Sequence, residues 1–383
     1  MDMIFSDKIN LLKALAIILV VSGHLEFSLF GMFPPYSFQL ALFFFISGML
    51  FKEKYINDMK TFFQKRVKSL LIPYFCYELF YLIVTYFLYK QSGEFLGDEI
   101  SLKSFFITPF INGHQLLLCA PLWFVPQLFL SLCAFVLLMK LLNKFQDKWL
   151  KLCLFSILGF GAIPLFKHVG NSIISLMVMK LMFSLFFIYI GYFYLKYVKD
   201  KVDIFQPKYL GFILVFQSVL WLFNRDFDPT HGIGLSYVLV WGRFDNQLIV
   251  PVLTAITGIW FSLFFIEITY SYFKNIKLLK DIGNNTYHIM ANHTFVMYII
   301  TILLCHCNHV HIDFRNDKIY TIFDPVQTTY LYFVLVLLIT TYIGKIQKQI
   351  YAKCCLQFLT NRLGNKINEQ KPECKNKIKT KYG

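Results

Sequence analysis

Lys13 and His24 lie eleven residues apart in the stretch from Asp7 to Phe30, DKINLLKALAIILVVSGHLEFSLF. The stretch is apolar enough to span a bilayer, where an ionisable group is costly unless it has a task. Eleven residues make almost three helical turns, so the two side chains share a face, about 16 Å apart along the axis. The spacing predicts a cation near one membrane surface and an imidazole about halfway across, both facing one pocket. An imidazole, with an ordinary pKa of about 6.5, suits proton transfer near neutral pH. The purely structural alternative is a snorkelling lysine and a packing histidine.

Other apolar stretches carry further groups. His293 is a second intramembrane imidazole, five residues after His288 and hence on a different helix face. Glu78 and Glu267 also fall within spans and are candidates to orient or charge-balance a histidine. Phe43-Phe44-Phe45-Ile46-Ser47-Gly48 sets a small hydroxyl and a glycine where another helix can approach closely. Lys65-Arg66-Val67-Lys68 precedes Leu70-Leu71-Ile72-Pro73-Tyr74 and supplies a planar fork and point charges for the phosphates of a nucleotide-like donor such as coenzyme A. The same cluster is also what topology alone demands at a cytoplasmic surface. Pro121-Leu122-Trp123-Phe124-Val125-Pro126 reads as a helix start with Trp123 at the interface. Cys305-His306-Cys307 with His309 and His311 has metal-ligand residue types, but no structural zinc spacing, and no metal is predicted. No HExxH, GxSxG or P-loop occurs.

The elements that must position these groups are helices in a membrane. Hydrophobic residues make up 57% of 383, with a mean hydropathy of +0.56, which excludes an ordinary soluble domain. The expected fold is all-α, a polytopic bundle of about ten transmembrane helices. They are read at about 9–31, 36–51, 70–89, 122–142, 150–168, 173–195, 209–223, 249–270, 286–304 and 326–344. With a cytoplasmic amino terminus, inside segments hold 26 Lys and Arg and outside segments seven, so both termini are predicted cytoplasmic. The first span lacks a cleavage site and is expected to stay as a helix. The net charge of +15 is therefore mostly topology, and the basic residues after 345 suit anionic lipid better than nucleic acid. Residues 1–345 read as one transmembrane domain and 346–383 as a basic, disordered tail. Three longer outside segments, Lys90 to Pro121, Asn224 to Leu248 and His306 to Thr329, are candidates for an outward-facing mouth. Scattered cysteines give no disulfide framework.

Taken together, LLKALAIILVVSGH, FFFISGMLF, KRVKSLLIPYF, PLWFVPQLFL, FFIYIGYFYLK and IGNNTYHIMANH resemble the acyltransferase 3 family of integral membrane acyltransferases, particularly its fucose 4-O-acetylase-like branch. The family's basic-x10-His motif falls on Lys13 and His24, and its Ser-Gly on Ser47 and Gly48. Its basic stretch before Pro-Tyr falls on Arg66 and Lys68, its Trp-Phe on Trp123 and Phe124, and its late Asn-Thr and His on Asn285, Thr286 and His293. Many members have Arg at the position of Lys13 and Asp at that of Asn10, and the first difference weakens any bidentate contact.

The resemblance implies transfer of an acyl group, usually acetyl, from cytoplasmic acyl-CoA to a hydroxyl of a surface polysaccharide or its lipid-linked sugar precursor, in a bacterial inner membrane. His24 is expected as the base, with Lys13, His293 and Ser47 as further catalytic groups. Arg66, Lys68 and Lys13 are expected on the donor, acetyl-CoA, and Trp123, Asn285 and Glu78 on the acceptor. Ser47, Asn285 or His293 would supply a polar donor to the oxyanion. Membrane lipids are the other expected partner. A transporter or polysaccharide exporter without transfer activity, and a non-catalytic partner of an envelope assembly complex, are the competing readings.

Overall fold

The computed structural model describes residues 3–93, 95–98, 101–111, 113, 116–224, 228, 231–245, 247–310 and 322–350. No β-strand forms among them. The principal helices are α1 (Met3–His24), α2 (Gln39–Met49), α3 (Met59–Ser92), α4 (Leu117–Lys144) and α5 (Lys148–Val169). They continue with α6 (Ile173–Val198), α7 (Pro207–Phe223), α8 (Val250–Phe273), α9 (Thr286–Cys307) and α10 (Pro325–Ile350). Seven of these are long and apolar enough to cross a membrane, against ten predicted spans. The others are α1, which carries Asp7, Lys8 and Lys13, and α2 and α7, which are 11 and 17 residues long. The tail expected over 346–383 falls largely on residues 351–383, outside the described residues.

The bundle is built around α1. Its buried residues, from Ile9 through Leu15 and Ile17 to Gly23, cover every side of the helix, the signature of a helix enclosed by protein rather than lipid. It packs on α2, α8, α9 and the short helix Lys277–Asn284, while Ile17 and Val21 meet Tyr332 and Val336 of α10.

Helix α1 ends at His24, not near residue 31. Glu26 takes a left-handed backbone (φ 58°), and Leu25 and Phe27 N–H groups fold back to the Ser22 carbonyl at 3.1 and 3.2 Å. Leu25, Phe27 and Phe30 are apolar because they pack from a connecting loop, so hydrophobicity alone overextends the helix. Helix α3 starts early: Lys65 to Lys68 lie inside it, and Val67–Leu71 forms a π turn. Such turns recur at functional sites.

Helices α2 and α6 approach to backbone contact. A Cβ on Gly48 would overlap the Ile188 carbonyl, and one on Gly191 would overlap the Phe45 carbonyl. Small residues at facing positions permit this approach where lipid offers no hydrophobic drive to association.

Candidate active site

A cavity of about 1040 Å³ opens at the His24 end of α1. Its inner part is apolar, formed by Leu19, Val20, Phe43, Phe124 and Met290. Toward the rim the lining turns aromatic and polar, with Tyr36, Trp123, Trp241, Arg243 and Tyr330. His24 sits between the two regions and is half-buried.

Tyr36 OH lies 3.1 Å from His24 Nδ1. Tyr36 holds a left-handed backbone (φ 58°) that a tyrosine rarely adopts. Neighbouring bonds impose it. The Ser236 hydroxyl donates to the Pro35 carbonyl (2.7 Å), Tyr237 N–H to the Tyr36 carbonyl (2.9 Å), and the Ser37 hydroxyl to the Pro34 carbonyl (2.7 Å). Strain held in place by surrounding structure commonly marks a positioned group.

His293, on α9, is fully buried with its ring centroid 4.9 Å from that of His24. Its Nδ1 is 3.0 Å from the Ile289 carbonyl. A carbonyl only accepts, so Nδ1 carries the proton and neutral His293 presents a lone pair at Nε2, an atom with no hydrogen-bond partner among the described residues. In that state it accepts a proton or hydrogen bond and cannot donate to an oxyanion.

Trp123 also reaches the cavity. Behind it, Lys180 is 2% exposed, donates to the Ile111 carbonyl (3.1 Å) and holds its ammonium 5.9 Å from the indole centroid. A desolvated cation over tryptophan fixes the ring's position.

The remaining predicted residues lie elsewhere. Lys13 is on the same α1 face as His24, yet it does not line this cavity. Leu19, six residues after Lys13, is the lining residue of α1 nearest to it in sequence. His24 is the last residue of α1. The Ser47 hydroxyl donates to the Phe43 carbonyl (2.8 Å), outside the cavity lining. Arg66 stacks over Phe62 (5.3 Å) and Lys68 is exposed in the π turn, at the opposite end of the bundle from the cavity. Asn285 uses Nδ2 on the Asp281 carbonyl (2.7 Å), and its buried Oδ1 has no partner among the described residues. Glu78 is buried with the Cys119 thiol 3.6 Å away, outside the cavity lining. Glu267 pairs with Lys8 (2.6 Å), not with a histidine. Cys305 is buried and His306, Cys307 and His309 are exposed; His311 is outside the described residues, among which no three His, Cys, Asp or Glu converge as metal ligands.

Sequence reading missed Tyr36, Trp241, Arg243 and Tyr330. Only the Pro34-Pro35 pair before Tyr36 signals a rigid, positioned turn there. It also set His288 aside. That residue's Nδ1 lies 2.8 Å from Tyr77 OH, which donates to Gln347 Oε1 and accepts from Asn292 Nδ2 (3.2 Å).

A family model described as an acyltransferase domain matches residues 6–345, nearly all of the described chain. No curated protein and no solved structure matches the chain. The match covers α1 with His24, α9 with His293 and the helices between them, so the chain belongs to the acyltransferase 3 family and is a membrane acyltransferase.

Proposed function

We propose that this protein is an inner-membrane O-acetyltransferase that moves an acetyl group from cytoplasmic acetyl-CoA to a sugar hydroxyl of a surface polysaccharide or its lipid-linked precursor. The observation that carries the reading is the place of His24, where an apolar floor meets an aromatic, polar vestibule in one cavity. Such a vestibule offers flat faces and hydrogen-bonding tips to a sugar.

In this reading His24 Nδ1–H donates to the Tyr36 oxygen and leaves Nε2 as the base. Nε2 takes the proton of the acceptor hydroxyl as its oxygen attacks the thioester carbonyl. The tetrahedral oxyanion collapses, the C–S bond breaks, and the thiolate recovers the proton from the imidazolium. Atoms and charge balance with no external proton. The lone pair of His293 beside the ring favours the imidazolium while it exists. Bound lipid surrounds the outer helices, and no nucleic acid takes part.

The test is transfer of label from acetyl-CoA to envelope glycan by membranes that contain the protein. Protein-dependent transfer supports the reading; intact glycan import or export without transfer assigns the chain to transport.

A further inference from the structure

Among the described residues that line the cavity around His24, Glu26 is the acidic side chain and Arg243 the guanidinium, and both are exposed. A sugar that offers only hydroxyls is bound by aromatic faces and uncharged hydrogen-bonding groups, which this wall already supplies in Tyr36, Trp123 and Tyr330. A guanidinium adds something more specific. Its planar fork of five N–H donors matches a carboxylate or a phosphate through two parallel bonds.

The chain is built to hold that fork in place. Arg243 N–H donates to the Val238 carbonyl (3.1 Å) and Val238 N–H to the Arg243 carbonyl (2.9 Å), which closes a tight loop. Gly242 turns the loop with a left-handed backbone (φ 64°), and a Cβ there would stand 2.7 Å from the Phe166 ring, so the loop is wedged against α5. Trp241, next along the cavity wall, has the guanidinium carbon 4.8 Å from its ring centroid, a cation–π contact that restrains the fork. The same loop sets the geometry at the imidazole. Tyr237 N–H donates to the Tyr36 carbonyl (2.9 Å), and Tyr36 OH meets His24 Nδ1. Arg243 and His24 are therefore held in one frame, joined through Val238, Tyr237 and Tyr36.

We propose that Arg243 is a specificity residue for the acceptor: the sugar acylated here carries an anionic group, a carboxylate or a phosphate, which the Arg243 fork holds while His24 takes the proton of a hydroxyl on the same molecule. The proposal rests on the O-acetyltransferase reading above and narrows its acceptor class. In the topology expected from charge, Asn224 to Leu248 is an outside segment, so Arg243 faces the acceptor's side of the membrane and not the phosphates of a cytoplasmic donor. Glu26, the opposite charge on this wall, works against an anion, so its removal does not weaken binding. An acidic sugar residue of the glycan and the phosphate of a lipid-linked precursor present the same chemistry to the fork.

The experiment uses the full chain, purified in detergent, with glucuronate, glucose 1-phosphate and glucose as probes at equal ionic strength and binding read by calorimetry. Wild type binds at least one of the two anionic sugars about tenfold or more tighter than glucose. Arg243→Gln brings the two affinities within twofold of each other, Arg243→Lys keeps part of the preference, and Glu26→Gln does not lower it. Thermal unfolding of Arg243→Gln close to that of wild type separates lost recognition from lost fold. Tighter glucuronate assigns the anion to an acidic sugar, and tighter glucose 1-phosphate to a sugar phosphate. Equal affinity for the three sugars, no binding of either anion, or a preference that survives Arg243→Gln overturns the proposal. Those results leave the acetyltransferase reading standing when membranes still pass label from acetyl-CoA to glycan; absence of that transfer in wild type brings down the reading itself.

Discussion

Removing one oxygen atom, by Tyr36→Phe, isolates what positions the base. The Tyr36 backbone is fixed by the Pro35, Tyr36 and Pro34 carbonyl contacts, none of which uses its hydroxyl, so the loop keeps its form. The ring also keeps its edge contact with His24, at a centroid distance of 5.6 Å. What disappears is the 3.1 Å bond to Nδ1. In the transition state that bond is made to an imidazolium, and hydrogen bonds to charged groups contribute about 1.5–3 kcal/mol. At about 1.4 kcal/mol per decade, kcat falls roughly 10- to 150-fold. KM for both substrates changes little, because the lost bond is strongest when His24 is charged. Steady-state transfer from labelled acetyl-CoA, normalised to protein in the membrane, reads the effect. A kcat within twofold of wild type refutes the role of Tyr36 and, with it, the assignment of Nδ1 as donor and Nε2 as base.

Two further outcomes follow from packing and from the cavity wall. Gly48→Ala forces a methyl into the Ile188 carbonyl and must part α2 from α6, so it destabilises the purified protein by about 1–3 kcal/mol in thermal unfolding; unchanged unfolding would show that the interface has slack. Trp123→Ala removes an aromatic face from the cavity and the partner of the Lys180 ammonium, so KM for the glycan acceptor rises about 2- to 12-fold, the equivalent of 0.5–1.5 kcal/mol, while KM for acetyl-CoA stays constant; the reverse pattern would place Trp123 on the donor.

The helices were legible because long apolar runs dominate the chain, and the pairing of Lys13 with His24 on one face was legible from spacing. The boundaries were not. Leu25 to Phe30 extend the apolar run of α1, yet the left-handed Glu26 ends the helix, and side-chain hydrophobicity carries no signal for that. The cavity was hidden for a similar reason: Leu19, Phe43 and Met290 line it from three helices that only tertiary packing brings together. His293 was found as a motif residue, but its contact with His24 joins the two ends of the chain and has no local trace. Tyr36 depends on backbone handedness, which side-chain types do not report.

If the His24 ring is the base, His24→Ala removes the only group assigned to take the acceptor's proton. Membranes holding the variant at wild-type protein level are assayed for label passing from acetyl-CoA to glycan. Transfer falls to background if His24 is the base; transfer near the wild-type rate overturns that role.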